Sequence, residues 1–327
     1  LSYFFPVPDI TLIMTSMDEP DIVEIGRTLG HDYFQFGIKE PGQDWPASVV
    51  EGFRHAAASH VSRKPSNRYI NKYLQLRLNA LRRSRHVDEQ VTPELLQKID
   101  VEFCPITRQK LTHGELKGTD WSIDRLNNEA AYAPHNLAVM STLANRAKGR
   151  RSYEEVFALS ELHDATEGLS PAEWLRLAAL MLGPCFATAP RLAPVIPLTA
   201  SIPKHTVRLA MQQIQYVFTT MAGTSAGRNS LVKYFRMASP DEHARFHLRL
   251  LADSVHEGLK RVETPWDVWL QPGIMKALKE WRSTLNLSAF AMAGEISMQL
   301  AGARQVEKSR LQTWRLKTGG YFTHGPR

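Results

Sequence analysis

Between positions 121 and 149 the chain reads WSIDRLNNEAAYAPHNLAVMSTLANRAKG. This stretch holds a carboxylate (Asp124), a guanidinium (Arg125), an imidazole (His135), two carboxamides (Asn136 and Asn145) and an ammonium (Lys148), and Arg150 and Arg151 follow it. Carboxylate and carboxamide oxygens are what a hard divalent cation takes as ligands. Asp124 and Asn145 together could therefore hold Mg²⁺ or Mn²⁺ while leaving positions for water and phosphate. Arg125, Lys148, Arg150 and Arg151 supply positive charge suited to phosphate. An imidazole titrates near neutral pH and can take a proton from water, whereas arginine stays protonated to above about pH 12 and cannot.

Local patterning predicts the elements that carry these groups. Trp121, Ser122, Ile123 and Asp124 alternate apolar and polar as a short strand does, and residues 125–134, with two Asn and a Pro, read as a loop. Residues 136–139 can return as a second strand. Leu143, Ala144 and Ala147 then form a small helical face, with Ser141 as a cap and Gly149 as a stop. The predicted order is strand, loop, strand, helix.

That order, with Asp124, Arg125, Asn136, Asn145, Lys148 and Gly149 at their spacings, resembles the ββα finger of the HNH (His-Me finger) nucleases. The resemblance covers residues 103–149, and the Asn-x-x-Lys-Gly ending is its most specific part. It implies one-metal hydrolysis of phosphodiester bonds in nucleic acid, DNA rather than RNA, with Asp124 and Asn145 as ligands of Mg²⁺ or Mn²⁺ and Asn136 as the middle residue. It also implies a setting in anti-phage defence or a mobile element.

Arg125 stands where the family has its catalytic histidine, and three readings of this compete. Arg125 clamps the scissile phosphate while His135, or behind it His113 or Tyr132, activates water. The site is silent, Asp124 and Arg125 form an ordinary ion pair, and the finger only binds nucleic acid or a partner. Or the phosphate itself or metal-bound water needs no separate base, and activity is slow. Asn136 likewise has two readings, as a ligand and as an amide that braces its own loop. Many such fingers are tied by two cysteine pairs, but Thr107 stands where the second Cys of the first pair would be. No structural zinc is expected, and Cys104 reads as a small buried thiol.

The remainder of the 327 residues must position this segment. The composition is that of a folded protein, 43% apolar and 22% charged, and no apolar run reaches the length of a membrane span. The opening apolar stretch lacks a basic leader region and only two cysteines occur, so a reduced, cytoplasmic protein without a membrane partner is expected. Net charge is +7, and residues 63–85 carry Arg63, Lys64, Arg68, Lys72, Arg77, Arg82, Arg83 and Arg85 without one Asp or Glu. Ile70, Leu74, Leu78 and Leu81 recur there at helical spacing, which predicts an amphipathic basic helix over 67–85. Its cations, Arg68, Lys72, Arg82, Arg83 and Arg85 among them, either lie along a phosphate backbone or form a solvated face. A second helix is predicted from the Thr92 cap to Ile99.

Past Gly149 helix-start signals dominate. Ser170, Ser239 and Thr264 each precede Pro and stand three residues before a carboxylate, as in a capping box. Residues 184–203 are proline-rich and read as a linker. Leu209, Ile214, Val217, Phe218 and Met221 form one helical stripe, and Phe246, Leu250, Leu251 and Val255 another. His243, His247 and His256 show no pattern that calls for a metal. No nucleotide phosphate loop, dinucleotide fingerprint or nucleophile elbow occurs. The expectation is a mainly α, multidomain helical protein with an embedded ββα finger. Its parts are an N-terminal region (1–60), a basic helical segment (61–100), the finger (101–152), a helix with a proline-rich linker (153–203) and a C-terminal helical domain (204–327) that offers a protein-binding surface.

Overall fold

In the computed structural model, residues 19–38, 41–42, 44–202 and 207–302 are described. The apolar opening stretch and residues 203–206 and 303–327 lie outside them. The chain is mainly helical, with one two-stranded sheet among the described residues. It divides into two units, one built from residues up to His86 and the other beginning at Val87.

The first unit holds α1 (Glu19–Gln35), α2 (Ala47–Ala58) and α3 (Arg68–Arg82). Leu29, Tyr33, Val49, Phe53, Leu74, Leu78 and Leu81 form its core. The predicted stripe of α3 is thus the buried one, and Asn67 caps the helix by accepting from the Tyr69 and Ile70 amides at 2.9 and 3.0 Å. α1 and α2 approach so closely that a Cβ on Gly30 would lie 2.0 Å from the Val49 carbonyl oxygen, and one on Gly52 would lie 2.0 Å from that of Arg27. Only glycine fits at that crossing.

In the second unit, α4 (Pro93–Ile99) starts at Thr92, whose hydroxyl accepts from the Leu95 amide at 3.3 Å. The finger follows. Phe103 and Lys110 pair across a turn closed by the Cys104 amide on the Gln109 carbonyl, 2.9 Å. The buried Cys104 Sγ accepts from the amides of Thr107, 3.5 Å, and Ser141, 3.3 Å, and so ties this turn to the far end of the module. β1 (Trp121–Arg125) pairs antiparallel with β2 (Leu137–Ser141), Trp121 opposite Ser141 and Arg125 opposite Leu137. Ser141 caps α5 (Thr142–Lys148), its hydroxyl accepting from Ala144 N at 3.2 Å, and Gly149 ends the helix at φ 51°.

Helices follow the finger along the chain. α6 (Tyr153–Leu159) and α7 (Pro171–Phe186) each begin in a complete capping box, Ser152 with Glu155 and Ser170 with Glu173. α8 (Ala210–Met221), α9 (Ser225–Phe235), α10 (Glu242–Leu259), α11 (Pro272–Ser283) and α12 (Leu287–Leu300) form the remainder. Arg108 joins the finger to these helices by a two-pronged ion pair with Asp267, 2.7 and 2.5 Å, and Arg176 of α7 donates to the Ile106 carbonyl at 2.8 Å.

Five expectations are corrected. The proline-rich segment is no free linker: α7 runs through Pro184, and Ile196, Leu198, Thr199, Ala200 and Ile202 are buried. Gln215 of α8 holds that strap as a neighbouring strand would, accepting from Leu198 N at 2.8 Å and donating to Ile196 O at 3.1 Å. The finger and the C-terminal helices consequently share one unit rather than falling on either side of a boundary. The cap of α10 is Asp241, which accepts from Ala244 N at 2.7 Å, while Ser239 is buried between the Phe235 carbonyl and the Trp281 indole. The Thr264 signal opens a 3-10 turn, Pro265–Leu270, because Asp267 is drawn to Arg108. In α10 the buried face is Ala244, Leu248, Leu251, Ala252 and Val255, which leaves Phe246 and Leu250 exposed. No described helix is long and apolar enough to cross a membrane.

Candidate functional site in the ββα finger

Side chains alternate across a strand, so Ser122 and Asp124 share one face of β1 and Arg125 takes the other. Three residues along a helix bring side chains to one face, so Asn145 and Lys148 of α5 stand together. The two elements meet rung by rung. Asn145 Nδ2 donates to Ser122 Oγ at 2.6 Å, and Lys148 Nζ lies 2.8 Å from Asp124 Oδ2. Ser122 and Asp124 are about 6.7 Å apart along the strand, so the Asn145 amide is tied one rung away from the carboxylate.

Lys148 is fully buried. Besides Asp124, its ammonium donates to the Arg125 carbonyl at 2.7 Å and to Asn128 Oδ1 at 2.9 Å. Its contact with Asp124 Oδ2 lies off the hydrogen-bond axis and works through charge. Burial pushes the Asp124 carboxyl above the ordinary carboxylate value, and Lys148, then Arg125, pull it partly back. Oxygens of the kind a hard cation would take are therefore gathered around a lysine of the same chain.

Arg125 points away from this cluster and is 9% exposed. Its Nη1 donates to the Asn128 and Ala130 carbonyls, both at 3.1 Å, and its guanidinium carbon lies 4.8 Å from the Tyr132 ring centroid. The guanidinium shapes the loop between the strands, and no ion pair joins it to Asp124. Asn136, 3% exposed, does the same from the other side: Oδ1 accepts from Asn127 N at 2.7 Å, and Nδ2 donates to the carbonyls of Asn127, 2.9 Å, and Ala131, 3.0 Å. The amide braces its loop. His135 sits half-buried in the 3-10 turn Pro134–Asn136, and the exposed His113 stands edge-on to Trp121, 5.4 Å between ring centroids, at the start of β1.

The cations expected on phosphate divide in the same way. Lys148 is internal. Arg151 donates to the Ala147 carbonyl at 2.6 Å and pairs with Glu167 at 2.5 Å. Arg146 and Arg150 are exposed at the end of α5. In the first unit Arg77 pairs with Asp32 and Arg82 with Asp44, acids from other elements that the charge count over 63–85 did not reveal. Arg63, Lys64, Arg68 and Arg83 are exposed, and Lys72 and Arg85 are half-buried. Sequence reasoning missed Ser122 and Asn128. The alternation of Ser122 with Asp124 was a usable signal, and for Asn128 there was none.

No family model, curated protein or solved structure matches this chain. Among the described residues no group of three or more His, Cys, Asp or Glu is placed to hold a metal. A divalent ion on Asp124 does not fit the arrangement, since the Lys148 ammonium already lies against that carboxylate.

Proposed function

We propose that this chain binds nucleic acid through its exposed cations and that the ββα segment is a finger without catalytic activity. The observation that carries the reading is the buried Lys148 ammonium, with three oxygens within 2.9 Å, at the carboxylate that a metal-dependent nuclease would need free. Arg125, the residue at the histidine position, is spent on loop carbonyls and clamps nothing outside the finger. The exposed Arg63, Lys64, Arg68 and Arg83 of the first unit, and Arg146 and Arg150 of the finger, supply a polyanion with contacts that carry no sequence information.

The test is incubation of the purified chain with supercoiled plasmid and Mg²⁺ or Mn²⁺, beside a binding assay in which salt is varied. Salt-sensitive binding without nicking supports the reading. Nicking that vanishes in both Asp124→Ala and Asn145→Ala overturns the silent finger and restores the metal-dependent nuclease, and absence of binding overturns the nucleic-acid reading altogether.

A further inference from the structure

An open groove of about 720 Å³ runs over the outer face of α2, within the first unit. Pro41, Trp45, Val50, Arg54, His55 and Ala58 line it. Trp45 is set at its edge by the core: its ring stands edge-to-face on Tyr33, centroids 4.7 Å apart at 78°, and the Trp45 amide closes a turn onto the Gly42 carbonyl at 3.1 Å. An indole held on one side by the core and bordering a groove on the other gives that groove an aromatic wall without further loss of side-chain freedom.

Charges of both signs stand around it. Arg27 is paired with Glu51 at 3.2 Å and with Glu24 at 3.8 Å, and Arg82 with Asp44 at 3.0 Å. The Arg82 guanidinium also lies 5.9 Å from the Trp45 ring centroid. Arg54 and His55 are exposed, and their side chains engage no described residue by hydrogen bond or ion pair. The groove therefore presents an aromatic side chain beside one cation, Arg54, that pairs with no described acid, in the same unit as the exposed Arg63, Lys64, Arg68 and Arg83.

We infer that this groove binds unpaired nucleic acid, one base stacking on Trp45 while Arg54 and His55 take the adjoining phosphates. A base inside a duplex has both faces covered by its neighbours, so only a single strand can offer one to the indole. Stacking of a base on an aromatic side chain is worth about 1–3 kcal/mol and tolerates any sequence. The inference rests on the nucleic-acid reading above and adds to it the kind of strand preferred and the residue that prefers it.

The experiment measures affinity for three labelled probes of one length: oligothymidylate, an abasic oligomer with the same phosphates, and a duplex. Wild type is compared with Trp45→Leu, which keeps an apolar side chain against Tyr33, and with Arg54→Glu, at a side chain that makes no hydrogen bond or ion pair with a described residue. Trp45→Leu is expected to weaken oligothymidylate binding about 5- to 150-fold, the stacking range above, and to leave the abasic and duplex affinities in place. Arg54→Glu is expected to weaken both single strands several-fold, and it keeps the inference testable if Trp45→Leu does not fold. Unchanged oligothymidylate binding in both variants, or equal loss for the abasic oligomer in Trp45→Leu, overturns the groove while leaving the broader reading intact. A wild-type chain that binds none of the three probes overturns both.

Discussion

Replacing Lys148 by methionine removes the ammonium from a fully buried position and leaves Asp124 without its counter-charge. Breaking a buried pair from one side costs about 3–5 kcal/mol. The structure allows that figure to be bounded. An unpaired buried carboxylate escapes its penalty by taking up a proton, and at about pH 7 protonating a group of ordinary pKa near 3.9 costs about 4 kcal/mol. The carboxylate part of the loss therefore saturates near that value. At about pH 5 the same step costs only about 1.5 kcal/mol.

The direction of the pH effect follows from Asp124 itself. Its folded carboxyl lies above the ordinary value because of burial, and Lys148 is the largest influence holding it down. Without Lys148 it rises further. A carboxyl raised by folding stabilises the fold below its unfolded pKa and loses that contribution as pH climbs through the folded value. The deficit of Lys148→Met relative to wild type should thus grow from about pH 5 to about pH 7 by at most about 2–3 kcal/mol, because the raised carboxyl of the wild type itself takes part of that span. Urea unfolding followed by tryptophan fluorescence measures it, since Trp121, Trp174, Trp269 and Trp281 are all buried in the unit that holds the finger. A double variant, Asp124→Leu with Lys148→Met, should recover most of the loss because no lone charge remains. A loss in Lys148→Met below about 1 kcal/mol at neutral pH, or one that is the same at both pH values, would refute the view that the ammonium holds this carboxylate.

Three further outcomes are expected. Arg125→His, which restores the family's residue, should produce no plasmid nicking and should cost about 1–3 kcal/mol, because the Asn128 and Ala130 carbonyls lose their donor. Asn136→Ala should destabilise the same unit by about 1–3 kcal/mol for each buried loop group left unpaired, read as a lower urea midpoint. Gly52→Ala should cost more than the about 1–3 kcal/mol typical of overpacking, since its Cβ would meet rigid backbone at 2.0 Å; protease susceptibility should rise in residues 19–86 and not in the finger.

The amino-acid order by itself determined what short-range chemistry can determine. Thr92, Ser141 and Ser170 cap the helices expected of them, Gly149 ends α5, and the buried stripe of α3 is the one its periodicity shows. Each of these signals acts within about one helical turn, so no knowledge of distant residues is needed to read them. The strand, loop, strand, helix order of the finger was legible for the same reason. What only the tertiary structure decided is how charged and polar groups are spent across long separations in the chain. Lys148 meets Asp124 across 24 positions, Arg108 meets Asp267 across 159, and Gln215 binds a strap that composition alone presents as a linker. The same holds for α10, whose apolar residues occupy more than one face until packing selects Leu248 and Leu251 over Phe246 and Leu250. Whether a carboxylate is free for a metal or already holds an ammonium depends on which side chain burial places against it, and residue identity and spacing do not encode that.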